Sequence, residues 1–443
     1  MTLGGFSSKE LYLNKGKLWK SITAPATVTG TSNFGFVTVE TGRQNHKEAR
    51  SRETCLIQIT GGKILKKILK LKLLLILFVS CSENTPENLI IQNNADFVLL
   101  TNDWISNESN FHIHTENGDW VESVEHIDIN DIFSADTVAR SFNENQAWFL
   151  DRSNNSISKI SFDNMGHPTI SSKWILGNNP NPHDVWLHEN DLYVTQYENE
   201  NLLVLNSKTG EIKTQINLSS NEMLTQCASG DGNTEMDQLF MKNGKIYVSM
   251  QCLDTSSSWS PVTEGKIAVI ETESNIISEV VNLTDCFNPV DASEDPGGTH
   301  LYFSCVNNYE GGNDGSIVRM SYLDHSIENL ISESSFGGDI GGLTIKDNNN
   351  IFVTVTSPSW SHTWVSKADL LTETVQIVHE KNTLWHNRIA FKNEMLWMVG
   401  EEGLYSISDC GLFCTDEKIV KSSTDAAQLL FWLGDPMFGG GGH

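Results

Sequence analysis

The stretch PHDVWLHENDLYVTQYENENLLVLNSKTGEIKTQINL, residues 182–218, contains four short runs rich in apolar and β-branched residues. The runs cover residues 184–188, 191–196, 202–206 and 211–217, and Lys208-Thr209-Gly210 marks one of the turns between them. Short runs of this composition, separated by turn residues, are typical of β-strands. The stretch therefore predicts a meander of four antiparallel strands.

The same four-strand unit recurs along the chain. It is found at residues 136–163, 235–283, 288–331 and 341–378, and again from residue 385. Four strands repeated every 40 to 50 residues or so indicate a β-propeller. Residues 96–104 look like a second strand without a first, and residues 423–434 look like a first strand without a second. We therefore predict an all-β, seven-bladed β-propeller over residues 96–434, closed by its N- and C-terminal strands; an open sandwich or two separate sheets is the alternative.

One copy of the unit resembles a known repeat. Leu192-Tyr193-Val194-Thr195-Gln196, followed by residues 203–210 (LVLNSKTG), is similar to the YVTN repeat of bacterial seven-bladed propellers, and looser copies begin at Ile246, Leu301 and Ile351. The resemblance covers roughly residues 96–434 and implies the fold. It does not imply one function, because binders, lactonases, lyases and redox partners share this architecture.

The region before the propeller has the features of an export signal. Five lysines between residues 63 and 72 precede the apolar run 73–79, which is shorter than the roughly 20 residues of a membrane-spanning helix. Leu77-Phe78-Val79-Ser80 before Cys81 resembles a bacterial lipobox, although Phe78 replaces the usual Leu. The resemblance implies lipidation at Cys81. Because Ser82 is not Asp, the resemblance also implies that the protein is anchored in the bacterial outer membrane and faces the periplasm or the cell surface.

These features divide the chain into five parts. Residues 1–62 are predicted to be a mis-called or disordered extension, since a start codon at Leu65 would yield an ordinary lipoprotein signal. Residues 63–80 form the signal peptide, residues 81–95 a linker, residues 96–434 the propeller, and residues 435–443 a disordered tail. Residues 81–443 contain 52 acidic and 17 basic side chains, a composition that argues against binding nucleic acid.

Acidic residues begin several of the predicted first strands. In a propeller these strands begin at one face beside the axis, so the aspartates would lie close together there. Such hard oxygen ligands suit Ca²⁺ or Mg²⁺; the alternative is that each aspartate accepts backbone N–H bonds from a neighbouring blade. The candidate cation ligands are Asp136, Asp184, Asp237, Asp291 and Asp425, and Asp339 lies near the equivalent position of its blade.

Aromatic residues lie in the longest loops, between second and third strands, which open on that same face. Exposed aromatic side chains with polar neighbours favour a contact surface for a protein or a small ligand, unless they fold back onto their own blades. The candidate surface residues are Trp104, Trp259, Tyr309, Trp360, His362 and Trp364. We therefore predict a lipid-anchored, non-catalytic propeller that binds a partner through its loop-rich face.

The six remaining cysteines suggest disulfides, as expected for an exported protein. Cys227 and Cys252 flank one predicted inner hairpin, and Cys286 and Cys305 occupy the matching places one blade later. We predict the pairs Cys227–Cys252, Cys286–Cys305 and Cys410–Cys414.

A lactonase- or lyase-like hydrolase at the central channel, with or without a divalent cation, is the alternative function. His183 and Asp184 would form a base with its orienting carboxylate, and His386 and Arg388 would join them across the channel. A further alternative is a redox protein that holds copper on the strand of His112 and His114. The chain has no Gly-x-Ser-x-Gly, phosphate-loop or CxxCH motif.

Overall fold

The computed structural model describes the side chains of most of residues 133–407 and the backbone of several further strands. The residues described with side chains are 133–134, 136–162, 168–177, 180–308, 314–380, 389–400, 404–407 and 435. The chain divides into two compact units, residues 1–87 and 88–443. In the first unit β1 (Thr27–Thr29), β2 (Gly35–Gly42) and β3 (Arg52–Ile59) form an antiparallel sheet. The predicted signal peptide, Cys81 and the linker up to residue 95 lie outside the described residues.

The second unit is built almost entirely of four-stranded antiparallel sheets. It begins with β4 (Phe97–Asp103), β5 (Glu108–His114) and β6 (Trp120–Ser123). The first blade contains β7 (Thr137–Asn143), β8 (Gln146–Asp151), β9 (Ser156–Phe162) and β10 (Pro168–Ile175). The second blade contains β11 (Pro182–His188), β12 (Asp191–Gln196), β13 (Asn201–Asn206) and β14 (Ile212–Asn217).

The third blade carries an additional hairpin between its second and third strands. The blade contains β15 (Met236–Lys242), β16 (Lys245–Met250), β19 (Lys266–Glu271) and β20 (Ile276–Asn282), and the hairpin contains β17 (Leu253–Asp254) and β18 (Ser260–Pro261). In the described residues the helical segments are three short 3₁₀ helices, at Cys227–Ser229, Thr255–Ser257 and Glu333–Ser335.

The remaining consecutive blades have the same strand order. The fourth contains β21 (Pro289–Glu294), β22 (His300–Cys305), β23 (Ser316–Ser321) and β24 (Ile327–Ser332). The fifth contains β25 (Asp339–Asp347), β26 (Asn350–Thr356), β27 (Thr363–Asp369) and β28 (Thr374–Lys381). The sixth contains β29 (Arg388–Lys392), β30 (Met395–Gly400), β31 (Gly403–Ser408) and β32 (Glu417–Lys421).

The last strand of the chain joins the first strands of this unit. β33 (Ala426–Trp432) pairs antiparallel with β4, placing Trp432 opposite Phe97 and Ala427 opposite Thr101. The sequence predicted this pairing within a seven-bladed ring. The structure shows six blades made of consecutive strands. The predicted seventh unit is a composite sheet, β33-β4-β5-β6, of which only the backbone is described.

The blades pack face to face, so most strands are buried on both sides. Side chains alternate between the two faces of a strand. In β12, Leu192 and Val194 pack into the core between the first and second blades, whereas Tyr193 packs into the core between the second and third. This arrangement explains why the second strands are almost continuously apolar, while the outer strand β14 is largely exposed.

The blades share a common direction, which gives the propeller unit two distinct ends. The first strands β7, β11 and β15 contact one another in turn, as do β21, β25 and β29, and β33 contacts both β29 and β7. We call the end at which first strands begin the loop face; it carries the loops between second and third strands. The opposite end, called the turn face, carries the turns between first and second and between third and fourth strands.

Four of the first strands share an irregularity near their beginning. The pairing register shifts between Pro182 and Val185 in β11, and β15, β21 and β25 shift at the matching place. Such a bulge inserts an unpaired residue and turns its side chain away from the regular alternation. The bulges therefore determine where polar side chains of the first strands point.

No helix among the described residues is both long enough and apolar enough to cross a membrane.

Candidate functional site

The aspartate of the second blade connects three blades. Asp184 is buried and accepts backbone N–H bonds from Val185 and, one blade later, from Leu239, both at 2.7 Å. Its carboxylate also forms an ion pair of 2.8 Å with Arg140 of the first blade. Arg140 in turn donates to the Leu239 carbonyl at 2.7 Å and lies 4.9 Å from the Trp186 ring centroid. These contacts give Asp184 a structural role.

The equivalent aspartate of the fourth blade makes the same backbone contacts with an uncharged partner. Asp291 accepts N–H bonds from Ala292 at 2.9 Å and from Leu343 of the fifth blade at 2.7 Å. Gln238 of the third blade donates to Asp291 at 2.7 Å. Gln238 thus takes the role that Arg140 has beside Asp184. Both aspartates thus accept backbone N–H bonds from a neighbouring blade, as expected for a structural role, and cation binding by them stays a prediction.

The other predicted cation ligands have separate surroundings. Asp136 pairs with Arg152, with a distance of 2.6 Å between Nη2 and Oδ1, and Asp237 contacts His183. Asp339 is buried at the start of β25, and Asp425 lies outside the described residues. Within the described ranges, no three or more His, Cys, Asp or Glu side chains are grouped to hold a metal ion.

A network of polar and aromatic side chains lies at the loop face of the first three blades. Its centre is His183, which is 1% exposed at the bulge of β11. Nδ1 of His183 lies 3.0 Å from Asp237 Oδ1, on the next blade. Nε2 lies 3.4 Å from Arg152 Nη1, on the preceding blade. We call this network the loop-face cluster; its members are Asp136, Arg152, His183, Tyr197, Asp237, Gln251 and Trp259.

Three members of the cluster occupy matching positions. Arg152, Tyr197 and Gln251 each follow directly after the second strand of a blade. Their backbone N–H groups donate to the carbonyls of Asp136, Asn181 and Glu235, at 2.9, 2.9 and 3.2 Å. Because each of these carbonyls lies directly before a first strand, the bonds hold the three side chains beside the entrance to the first strands.

The aromatic members form a series from the interior to the surface. The ring of His183 stacks on that of Tyr197, with a centroid distance of 4.2 Å and an interplanar angle of 18°. The Tyr197 hydroxyl donates to Gln251 Oε1, and its ring lies 6.0 Å from that of Trp259. Offset aromatic contacts of this kind stabilise the rings in fixed orientations.

The contacts of His183 fit one protonation state. Nδ1–H donates to Asp237, and Nε2 accepts from the guanidinium of Arg152. A second proton on the imidazole would point at this permanent cation, so the neutral ring fits these neighbours. Because both ring nitrogens are occupied and the ring is buried, His183 presents no open general base to a substrate.

Of the four predicted catalytic residues, the structure describes the side chains of His183 and Asp184. The carboxylate that contacts His183 is Asp237, and not Asp184 as the sequence suggested; Asp184 contacts Arg140. His386 lies outside the described residues, and Arg388 begins β29 with only its backbone described.

Two of the predicted contact residues are clearly exposed aromatics. Trp259 and Trp360 are each 45% exposed, in the loops between second and third strands of the third and fifth blades. His362 is half-buried beside Trp364, with a ring distance of 5.2 Å. Trp364 itself is buried in the core between the fourth and fifth blades, so its assignment to a contact surface was wrong. The other two predicted residues, Trp104 and Tyr309, lie outside the described residues.

Two of the predicted disulfides are present. Cys227 is bonded to Cys252 and Cys286 to Cys305, closing segments with sequence separations of 25 and 19. In the loop-entropy account each bond contributes about 3 kcal/mol. The first bond holds the base of the hairpin that carries Trp259. Cys410 and Cys414 lie outside the described residues.

Buried carboxylic acids lie at the same face. Burial raises the pKa of Glu235 to about 8, although the Leu253 N–H donates to its Oε2 at 2.7 Å. Burial also raises the pKa of Glu333 to about 7, while the N–H groups of Gly315 and Ile340 each donate to it at 3.0 Å. Both side chains therefore connect a loop to the start of a first strand, and Glu235 does so at the base of the Trp259 hairpin.

Sequence reasoning missed the residues that complete the cluster. Arg152, Tyr197 and Gln251 are of three different chemical types, so no motif relates them. Their shared signal is positional, since each follows the last residue of a second strand. An alignment of the repeated units on these strand ends would have identified them.

Comparisons with known proteins extend the description of the fold. No protein-family model matches the sequence, and no curated protein matches it. Among solved structures, a periplasmic gluconolactonase of Pseudomonas aeruginosa is similar over 76% of this chain and 98% of its own, with a TM-score of 0.53 and 10% identity. A putative 6-phosphogluconolactonase of Bacteroides uniformis is similar over 76% of this chain and 100% of its own, with a TM-score of 0.52 and 12% identity. A putative 6-phosphogluconolactonase of Bacteroides fragilis is similar over 77% of this chain and 98% of its own, with a TM-score of 0.50 and 13% identity. At these identities the similarity shows the fold alone, and this chain is therefore an all-β protein with the propeller fold.

Proposed function

We propose that this protein is a lipid-anchored, non-catalytic propeller that binds a neutral, polyhydroxylated ligand, such as a glycan, on its loop face. The observation that carries the proposal is a repeated local structure. Ser258-Trp259-Ser260 and Ser359-Trp360-Ser361 occupy equivalent loops of two blades, and both tryptophans are equally exposed.

The backbone of these two tryptophans supports a functional role. Trp259 has a φ of 61° and Trp360 a φ of 54°, both in the left-handed region. This conformation is rare for a bulky residue and costs of the order of 1 kcal/mol or more. The backbone N–H of Trp259 donates to the Asp254 carbonyl at 3.1 Å, and that of Trp360 donates to the Ser357 carbonyl at 2.8 Å. These hydrogen bonds hold the left-handed conformation. A strained backbone that keeps a large apolar ring in water favours a contact role.

The surroundings of the rings suit hydroxyl groups. Ser258 and Ser260 flank Trp259 in the sequence, and Ser359 and Ser361 flank Trp360. Ring faces pack against the C–H faces of a sugar, while serine oxygens accept hydrogen bonds from its hydroxyls. The acidic character of the chain disfavours anionic ligands, so a neutral glycan fits better.

The binding proposal predicts a loss of affinity when the exposed rings are removed. Trp259→Ala and Trp360→Ala should each weaken binding of a neutral oligosaccharide, identified on a glycan array, by about tenfold or more, as is usual for aromatic anchors. Titration calorimetry of the mature protein measures this. Leu371→Ala, which removes an exposed apolar side chain on the turn face, is the matched control and should leave affinity unchanged. Equal affinity of all variants, or no glycan bound at all, contradicts the proposal.

The hydrolase alternative predicts a different result. His183, Asp184, His386 and Arg388 would then accelerate opening of a sugar lactone. Because Arg152 and Asp237 occupy both ring nitrogens of His183, we expect gluconolactone to open no faster with the protein than in buffer. Hydrolysis that His183→Ala abolishes, in a variant whose circular dichroism is unchanged, would replace the binding proposal.

The anchor and the closed ring complete the proposal. Cys81, at the end of a lipobox-like segment, carries the lipid, and the protein belongs to the outer membrane. The composite sheet of β33 with β4, β5 and β6 serves as the seventh blade. Contacts of β33 with β29 of the sixth blade and with β7 of the first support this.

A further inference from the structure

The turn face carries exposed apolar side chains at matching places. In each blade from the second to the fifth, one of them lies at the turn between the third and fourth strands or directly after it. We call the four residues the apolar rim; they are Ile212, Ile276, Leu323 and Leu371, with exposed fractions of 51%, 62%, 93% and 77%. Single exposed apolar residues are ordinary, but their recurrence at one turn in four successive blades requires an explanation.

The chain enters the propeller at the same face. Phe97, the first residue of β4, lies opposite Trp432, the last residue of β33. β33 is the first strand of the composite sheet, and first strands end at the turn face. Trp432 and its partner Phe97 therefore lie at the turn face. In the sequence, 15 residues lie between Cys81 and Phe97, and such a segment can extend to about 50 Å at most.

We propose that the turn face rests on the surface of the bilayer that holds the lipid of Cys81, with the apolar rim at the head-group boundary. This inference rests on the proposed lipid anchor, not on the proposed ligand. It places Trp259 and Trp360, at the opposite end of the blades, away from the membrane and open to the ligand. A shallow apolar contact adds a second membrane signal to the acyl chains.

The charges near the rim identify the kind of lipid surface. Glu273, Asp324 and Glu373 lie in the same turns as Ile276, Leu323 and Leu371, and one basic residue, Lys208, lies in the turn before Ile212. These carboxylates are repelled by anionic head groups, so the rim fits a zwitterionic surface. A protein partner fits less well, because an interface needs a contiguous apolar centre, whereas the rim residues are distributed over four blades. A bilayer surface is laterally continuous and contacts separate side chains independently.

Hydrogen–deuterium exchange of the mature, lipidated protein tests this orientation. On phosphatidylethanolamine–phosphatidylcholine liposomes, we expect amides of the third-to-fourth-strand turns to exchange about fivefold more slowly or better than in detergent micelles. Amides of residues 252–265 and 357–363, on the loop face, should exchange at the same rate in both. Mass spectrometry of the N-terminal peptide first verifies the lipid on Cys81.

Two matched variants make the test specific. In Leu323→Glu/Leu371→Glu, the unsubstituted turns at Ile212 and Ile276 should lose their slowed exchange, while the protein still sediments with the liposomes. Ile175→Glu removes a comparably exposed side chain from the loop-face end of β10 and should preserve the slowed exchange.

The possible results distinguish failure of the proposed membrane orientation from failure of the proposed lipid anchor. Lipidated protein whose turns exchange equally fast in both conditions overturns the orientation alone, and so does slowed exchange confined to the loop face. Slowed exchange that increases with the protein-to-lipid ratio indicates contact between copies and also overturns it. An unmodified Cys81 overturns both the anchor and the orientation, and leaves the ligand proposal to its own test.

Discussion

Asp184→Ala should lower the free energy of unfolding by about 3–5 kcal/mol, because it removes a carboxylate that contacts a buried cation. Arg140 and Asp184 are both almost completely buried, and their ion pair measures 2.8 Å. The substitution also removes the acceptor of the Leu239 N–H, which belongs to the next blade. The loss therefore affects the connections among three blades. Urea denaturation of the mature protein, monitored by circular dichroism, measures it.

Asp291→Ala is the matched control for this prediction. Asp291 makes the same two kinds of backbone contact, but its third partner is the neutral Gln238. Its loss should therefore cost only about 1–3 kcal/mol. Adding Arg140→Met to Asp184→Ala should restore part of the stability, since the buried positive charge is then absent. Equal losses for the two aspartates, without recovery in the double variant, would contradict the role assigned to the charge.

The sequence predicted the features that depend on neighbouring residues in the chain. Alternating apolar runs and turn residues located the strands, because strand formation and tight turns are local properties. Matching positions of cysteines around two inner hairpins predicted Cys227–Cys252 and Cys286–Cys305. The pairing of β33 with β4 was also predictable, since each of the two terminal segments lacked the strand that the other contains.

Contacts between blades could not be predicted in the same way. His183 is followed directly by Asp184, yet its carboxylate partner is Asp237, 54 residues later. Successive side chains of β11 point to opposite faces of the strand, so His183 contacts Asp237 of the third blade and Asp184 contacts Arg140 of the first. Which blade packs against each face depends on the arrangement of the whole ring, which the sequence of a single strand does not specify. Trp364 was predicted to lie at the end of a loop, but it is the second residue of β27 and is buried between the fourth and fifth blades.

A second large effect is expected on the pH dependence of the free energy of unfolding. Burial, together with the nearby Asp231 and Asp254, raises the pKa of Glu235 to about 8, although the Leu253 N–H bond lowers it. Between the ordinary glutamate pKa and about 8, the folded protein thus binds a proton that the unfolded chain releases. Stability from this group is complete at low pH and is lost as pH rises through that window. The pKa of Glu333 is raised to about 7, so its contribution to stability also decreases as pH rises.

Glu235→Gln should therefore stabilise the protein at pH 8.5 and change little at pH 5. The expected gain is of the order of 2–4 kcal/mol, less than the full shift implies, because water and loop movement relax part of the burial penalty. Glutamine retains an oxygen for the Leu253 N–H and carries no charge at either pH. Denaturation at several pH values measures the slope, with the exposed Glu273→Gln as the control. An unchanged slope in Glu235→Gln/Glu333→Gln would show that these acids are ionised in the folded protein. The base of the Trp259 hairpin would then hold a buried charge rather than a proton.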